Sequence, residues 1–151
     1  MWADFAWPAN LAPWSRLDAI YTATTAALHA VPGCLAATAH QSHSYPDGAC
    51  LYFTFAARPA AEDREATYVE LWEAGTRAVL AAGGSLSHHH GVGLHRSRFV
   101  REALGDAFEV LAAVKAALDP RGILNPGKLG LASPFGEVGW PREGAAVKMV
   151  P

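Results

Sequence analysis

Three consecutive histidines, His88, His89 and His90, sit in the run Gly83-Gly84-Ser85-Leu86-Ser87-His88-His89-His90-Gly91-Val92-Gly93. An imidazole titrates at about 6.5, so each ring can donate, accept or bind metal near neutral pH. A helix would fan three neighbours over different faces, and a strand would turn the middle one away. The flanking glycines permit a tight loop that passes close to a ligand. Packing or helix capping would use one or two such rings. Three in a row inside a glycine loop point to an active-site loop, and the short internal setting is not that of a purification tag.

Four other places carry groups that could do chemistry. Tyr45 stands beside Ser42, His43 and Ser44 at a turn. On its own it is as much an ordinary turn aromatic as an acid or base, the latter if nearby cations lower its pKa. His40 and His43 could join the triplet as metal ligands, since zinc takes three or four ligands in tetrahedral geometry. The spacing is no HExxH or CxxC pattern, and no carboxylate adjoins the triplet, so no metal is assigned. Arg96 and Arg98, just after the loop, are either solvated helix-start charges or groups that bind a phosphate or carboxylate substrate. Asn125-Pro126-Gly127-Lys128 is either a plain turn or an amide and an ammonium directed at a polar ligand.

These groups must be positioned by a small set of elements. Residues 1–13, with prolines and aromatics in close succession, read as an extended lead-in. A helix is expected from an N-cap at Ser15, with Leu17, Ile20, Tyr21, Ala27 and Leu28 inward, ending before Pro32-Gly33. A strand over Cys34–Ser42 and a second over Ala49–Phe55 flank Tyr45-Pro46-Asp47-Gly48, whose residues suit a turn between strands. The second strand, apolar and aromatic, reads as buried on both faces or nearly so. Residues Ala61–Ala82 form a helix with Tyr68, Leu71, Trp72 and Val79 inward, ended by Gly83-Gly84. A short strand at Ser85-Leu86 leads into the histidine loop, and a second helical stretch over Arg96–Leu118 breaks near Gly105-Asp106. Asp119-Pro120-Arg121-Gly122 is a turn, and residues 131–151 are a Gly- and Pro-rich tail. The pattern is α+β, an antiparallel sheet with helices packed on one face.

At 151 residues the chain is one domain of ordinary size. A formal charge of -2 argues against nucleic acid or an anionic membrane surface as the main partner. Charged residues make up 17%, below the usual ~25%, while 51% are hydrophobic and five are tryptophan. Such a chain is expected to rest part of its surface on something else, with a homo-oligomer among the options. Cys34 and Cys50 define no disulfide scaffold and read as two buried thiols. No apolar stretch is long enough for a membrane span, and Met1-Trp2-Ala3-Asp4-Phe5 lacks a signal peptide's basic start, so a cytoplasmic location is expected by elimination. Neither GxGxxG after a strand nor GxxxxGK[ST] occurs, so no nucleotide-binding motif is present.

Three segments together carry a resemblance. The glycine-flanked triplet resembles the histidine loop of the alkyldihydroxyacetonephosphate synthase family, ether-lipid flavoenzymes. Ser42-His43-Ser44-Tyr45-Pro46-Asp47-Gly48-Ala49-Cys50-Leu51-Tyr52-Phe53-Thr54-Phe55 resembles that family's Tyr-x-x-Gly-Ala-Cys segment and the strand after it. Leu118-Asp119-Pro120-Arg121-Gly122-Ile123-Leu124-Asn125-Pro126-Gly127-Lys128-Leu129 is similar to the ending common to FAD-linked oxidases of the vanillyl-alcohol oxidase type. The segments lie in order over 42–129, and Pro13-Trp14-Ser15-Arg16-Leu17 fits the segment expected upstream.

The resemblance implies a two-part enzyme in which one domain binds FAD and a C-terminal substrate or cap domain closes over the flavin. Residues 14–130 would be that cap domain, of ferredoxin-like fold with a C-terminal helical extension, and the FAD-binding domain or chain its partner. Tyr45 would then act as acid/base, with His88, His89 and His90 around the reacting centre. His89, His90 and Asn125 would face the cofactor, while His43 and Arg96 would hold a small substrate bearing phosphate or carboxylate. In that family an acyl group is exchanged for an alkoxy group with no net redox change. The chain by itself is expected to be silent, because the cofactor's main cradle would lie elsewhere. Two other readings stand beside this one. The first is the cap of a D-2-hydroxy-acid dehydrogenase, although Glu-His-Gly is usual there where this chain has His89-His90-Gly91. The second is a non-catalytic module that binds a partner or a metal.

Overall fold

The computed structural model describes the backbone of residues 3–6 and 10–136 and the side chains of 11–136. Most of the expected tail, 137–151, lies outside the described residues. The chain divides into two units, Met1–Gly91 and Val92–Pro151.

The first unit runs β1 (Ala3–Ala6), β2 (Asn10–Pro13), a 3₁₀ turn over Trp14–Arg16, α1 (Leu17–Ala30), β3 (Cys34–Ser42), β4 (Gly48–Ala57) and α2 (Arg64–Ala81). β4 is central. β3 pairs antiparallel along one edge, with His40 opposite Tyr52 and Ser42 opposite Cys50. The other edge is shared end to end, since β1 pairs with residues 54–57 and β2 with residues 48–51. The extended lead-in thus contains two short strands. Gly48 makes the second pairing possible, because a Cβ there would lie 2.1 Å from the Ala12 carbonyl oxygen.

Alternation along β4 sorts its side chains between two environments. Leu51, Phe53 and Phe55 face the helices and are buried with Ile20 and Leu28 of α1 and Leu71, Trp72 and Val79 of α2. The residues between them, Tyr52 and Thr54, are only half-buried. The strand is thus closed on one face and opens only at Tyr52 and Thr54 in the middle of the other, close to the expected burial on both faces or nearly so.

α1 buries Leu17, Ile20, Thr24 and Leu28, spaced by three or four residues, while Tyr21 is exposed. Ser15 lies in the 3₁₀ turn and caps nothing; the residue before the helix is Arg16, without a side-chain cap bond. Ser85-Leu86 is no strand either. Ser85 meets Leu11 of β2 at two points, its N–H donating to the Leu11 carbonyl (3.1 Å) and its Oγ accepting from the Leu11 N–H (2.9 Å). A hydroxyl thus takes the place of a ladder carbonyl, and pairing stops after one residue. The observed α+β arrangement, an antiparallel sheet with α1 and α2 on one face, is the expected fold class.

The second unit holds α3 (Gly93–Ser97), α4 (Val100–Leu104) and α5 (Ala107–Leu118), so the expected helical stretch breaks twice. Phe99, Val100 and Phe108 are its buried apolar side chains. No helix among the described residues is long and apolar enough to cross a membrane.

Candidate active site

Tyr45 is fixed by its backbone before its side chain does anything. The chain leaves β3 through His43, which adopts the left-handed conformation (φ 47°) that histidine tolerates better than most residues. Tyr45 N–H then donates to the Gly48 carbonyl (2.7 Å), closing the turn, and the Tyr45 carbonyl accepts from Trp14 Nε1 (3.1 Å). Tyr45 is left 39% exposed, and its phenol meets another loop.

That loop is the histidine triplet. Gly84 tucks it under α1 and α2, where a Cβ would lie 2.7 Å from Val79 Cγ1 and 3.2 Å from Ile20 Cδ1. Ser85 ties it to β2, and Ser87 Oγ donates to the Gly91 carbonyl (2.7 Å), pinning the far end. Between these ties His88 turns towards Tyr45, with Nε2 2.8 Å from Tyr45 Oη. His89 turns towards β4, with Nε2 2.8 Å from Tyr52 Oη. The site is therefore organised around two phenol–imidazole pairs.

Around the second pair the rings are dense. His40, opposite Tyr52 in the register, stacks on it with centroids 4.9 Å apart and planes within 8°. The His43 ring lies 4.3 Å from that of His89, and His43 Nδ1 is 3.0 Å from Ser42 Oγ and 3.5 Å from Tyr52 Oη. The His90 ring is 4.3 Å from that of His89 and edge-on to Tyr52 at 5.9 Å.

This crowding sets the electrostatics. Desolvation pulls the His89 pKa below its ordinary 6.5, and His43, His90 and His88 add to the shift. Desolvation likewise pushes Tyr52 above its ordinary 10.0, with Cys50 and Tyr45 adding to it. Both groups are driven towards their uncharged forms. Burial also raises both thiols; Cys50 is fully buried and Cys34 partly so. Two phenol–imidazole pairs can give or take a proton at two oxygen positions. Among the described residues no group of three or more His, Cys, Asp or Glu side chains is arranged to hold a metal ion.

Of the expected site residues, His43, Tyr45, His88, His89 and His90 thus come together in the first unit. Arg96 and Asn125 belong to the second. Arg96, on α3, is 6% exposed, and burial lowers its pKa. Asn125 is exposed and left-handed (φ 43°) in the turn after α5. That turn hangs on Asp119. The buried carboxylate accepts from the N–H groups of Ile123 (3.1 Å) and Leu124 (2.8 Å) and pairs with Lys115 Nζ at 2.6 Å. Lys115 Nζ also donates to the Leu124 carbonyl. The hydrogen bond from Lys115 is the main reason the Asp119 pKa falls below its ordinary 3.8.

Two residues escaped the sequence reading. Tyr52 looked like one more core aromatic, although its place between Leu51 and Phe53 assigns it to the opposite face of the strand. Asp119 looked like a plain turn residue; the signal was Lys115 four positions before it.

The profile of the C-terminal domain of FAD linked oxidases matches residues 11–129, and the chain belongs to that family. Within it the chain is similar to the alkyldihydroxyacetonephosphate synthase of Dictyostelium discoideum, 42% identical over 92 residues, which cover 60% of this chain and 15% of that protein. It is also similar to the synthase of Trypanosoma brucei brucei, 36% identical over 104 residues (68% of this chain, 17% of that one). A solved structure of an alkyldihydroxyacetonephosphate synthase shares the fold, with a TM-score of 0.51 at 23% identity over 83% of this chain and 20% of that one. The chain thus spans about a sixth of the length of the two curated relatives.

Proposed function

We propose that this chain is the substrate-binding cap domain of an FAD-dependent enzyme resembling alkyldihydroxyacetonephosphate synthase, with Tyr45 as its acid/base. The observation that carries the reading is the 2.8 Å contact between Tyr45 Oη and His88 Nε2, in a loop closed by its own hydrogen bonds. Tyr45 passes a proton to the departing oxygen of the substrate, or takes one from an entering alcohol, and His88 shares that proton and restores the phenol. Within the first unit, His89 and His90 are the groups assigned to the cofactor side; Asn125, in the second unit, is assigned to the cofactor separately. In the first unit His43 is the group assigned to the substrate; in the second, Arg96 carries a guanidinium suited to a phosphate or carboxylate.

The open face around Tyr52 fits a planar, polar ring system. It offers stacked rings and N–H donors, and Tyr52 and Thr54 are half-exposed there. FAD, if bound, would supply an electron-accepting ring. The 151 residues by themselves are expected to give no turnover, because acid/base groups contribute only when substrate and cofactor are held against them to within about an ångström.

The test is to purify the protein from its source and follow flavin absorbance, turnover and copurifying polypeptides together. The expected result is a yellow preparation that loses turnover when flavin is stripped and regains it when flavin is restored. A colourless preparation that holds a metal through its histidines, with turnover indifferent to flavin, would overturn the reading.

A further inference from the structure

We propose that Tyr52 is a positioning residue: its hydroxyl donates to His89 Nε2, so His89 is held as the neutral tautomer with its proton on Nδ1. His89 then offers its surroundings a donor at Nδ1 in place of a lone pair. That this donor serves the reaction rests on the function proposed above; the tautomer itself does not.

Three observations support the assignment. The oxygen–nitrogen distance of 2.8 Å is that of a sound hydrogen bond, and a phenol has a single proton to give. Tyr52 cannot swing away easily, because His40 stacks on it from the neighbouring strand and His90 meets it edge-on. His43, the other candidate partner for the hydroxyl, lies 3.5 Å away and already has Ser42 Oγ at 3.0 Å. The hydroxyl is therefore committed to His89. The directions of the two pKa shifts, phenol up and imidazole down, agree with a neutral O–H···N bond. A ring nitrogen that accepts leaves the other to carry the proton. The ionisable groups facing His89 are His43, His88, His90 and Tyr52.

The test is nitrogen NMR of the full chain with ¹⁵N-labelled histidine, at a pH above the imidazole range, with His89 assigned from a His89→Gln spectrum. In the unsubstituted protein His89 should show an unprotonated Nε2 and a protonated Nδ1. Tyr52→Phe keeps the stacked ring and removes only the hydroxyl, so this preference should be lost. Tyr45→Phe should disturb His88 and leave His89 alone. An Nε2-protonated His89 in the unsubstituted protein, or an unchanged tautomer in Tyr52→Phe, would overturn the proposal. Because the first of these is read without any variant, the proposal stands or falls even if Tyr52→Phe does not fold. Failure of flavin-dependent turnover with the tautomer as stated would count against the proposed function alone.

Discussion

The two faces of β4 give neighbouring residues opposite work. Phe53 and Phe55 are fully buried under α1 and α2, and their contribution is area removed from water, about 1.5–3 kcal/mol per side chain. Tyr52, one position away, is half-buried, and its hydroxyl reaches a loop 37 residues further along the chain. The closed face makes the sheet rigid, and the open face uses that rigidity to hold a phenol against an imidazole. Stability and chemistry should therefore separate between adjacent residues of one strand.

The strongest way to break this contrast is on the closed face. Phe53→Ala should cost roughly 3–5 kcal/mol, since it opens a cavity in a core that cannot fully collapse. Denaturant melts of the full chain should show a large drop in midpoint, enough to unfold much of the protein. A near-unchanged midpoint would mean that the face is not the core. Tyr52→Phe should leave the same melt within error while altering the His89 signals, because the ring and its stacking survive.

Acid should separate regions in a milder way. His89 has a lowered folded pKa, so the unfolded chain binds more protons, and the stability it contributes above 6.5 is lost as pH falls below that value. Asp119 is also lowered, so its contribution is complete above 3.8 and is lost only as pH falls through its folded value. Melting temperature followed against pH should thus decline slightly just below 6.5 and again below 3.8. His89→Gln should shrink the first step, leaving the part that belongs to His95, whose pKa burial also lowers, and Asp119→Asn should remove the second. A first step undiminished in His89→Gln would take the titration away from His89.

What could be read from the sequence follows how far apart the determinants lie. β3 has its expected bounds, and the Tyr45–Gly48 turn and the end of α2 at Gly83-Gly84 lie where expected, because apolar runs and turn residues mark them locally. β1 and β2 were not legible. Each is four residues long and becomes a strand only by pairing with β4, 48–54 residues later for β1 and 35–41 for β2. Ser85 failed as a strand for a related reason, since its side chain intercepts the backbone group that would have continued the ladder. In the site, residue types sufficed to single out the triplet and Tyr45. The pairing did not show, because Tyr45 to His88 and Tyr52 to His89 are contacts across 43 and 37 positions. Asp119 is the opposite case, with partners no more than five positions away, hidden only because a buried carboxylate and a turn aspartate look alike in a sequence.

In the proposed function Tyr45, paired with His88, moves the proton in a flavin-dependent reaction. The most direct test is turnover of the flavin-loaded enzyme carrying Tyr45→Phe, measured beside its melting curve and flavin spectrum. The account predicts a kcat lower by roughly 10²–10⁴-fold, the contribution usual for a positioned acid or base, with melting and flavin spectrum unchanged. A Tyr45→Phe enzyme that turns over as fast as the unsubstituted one would contradict it.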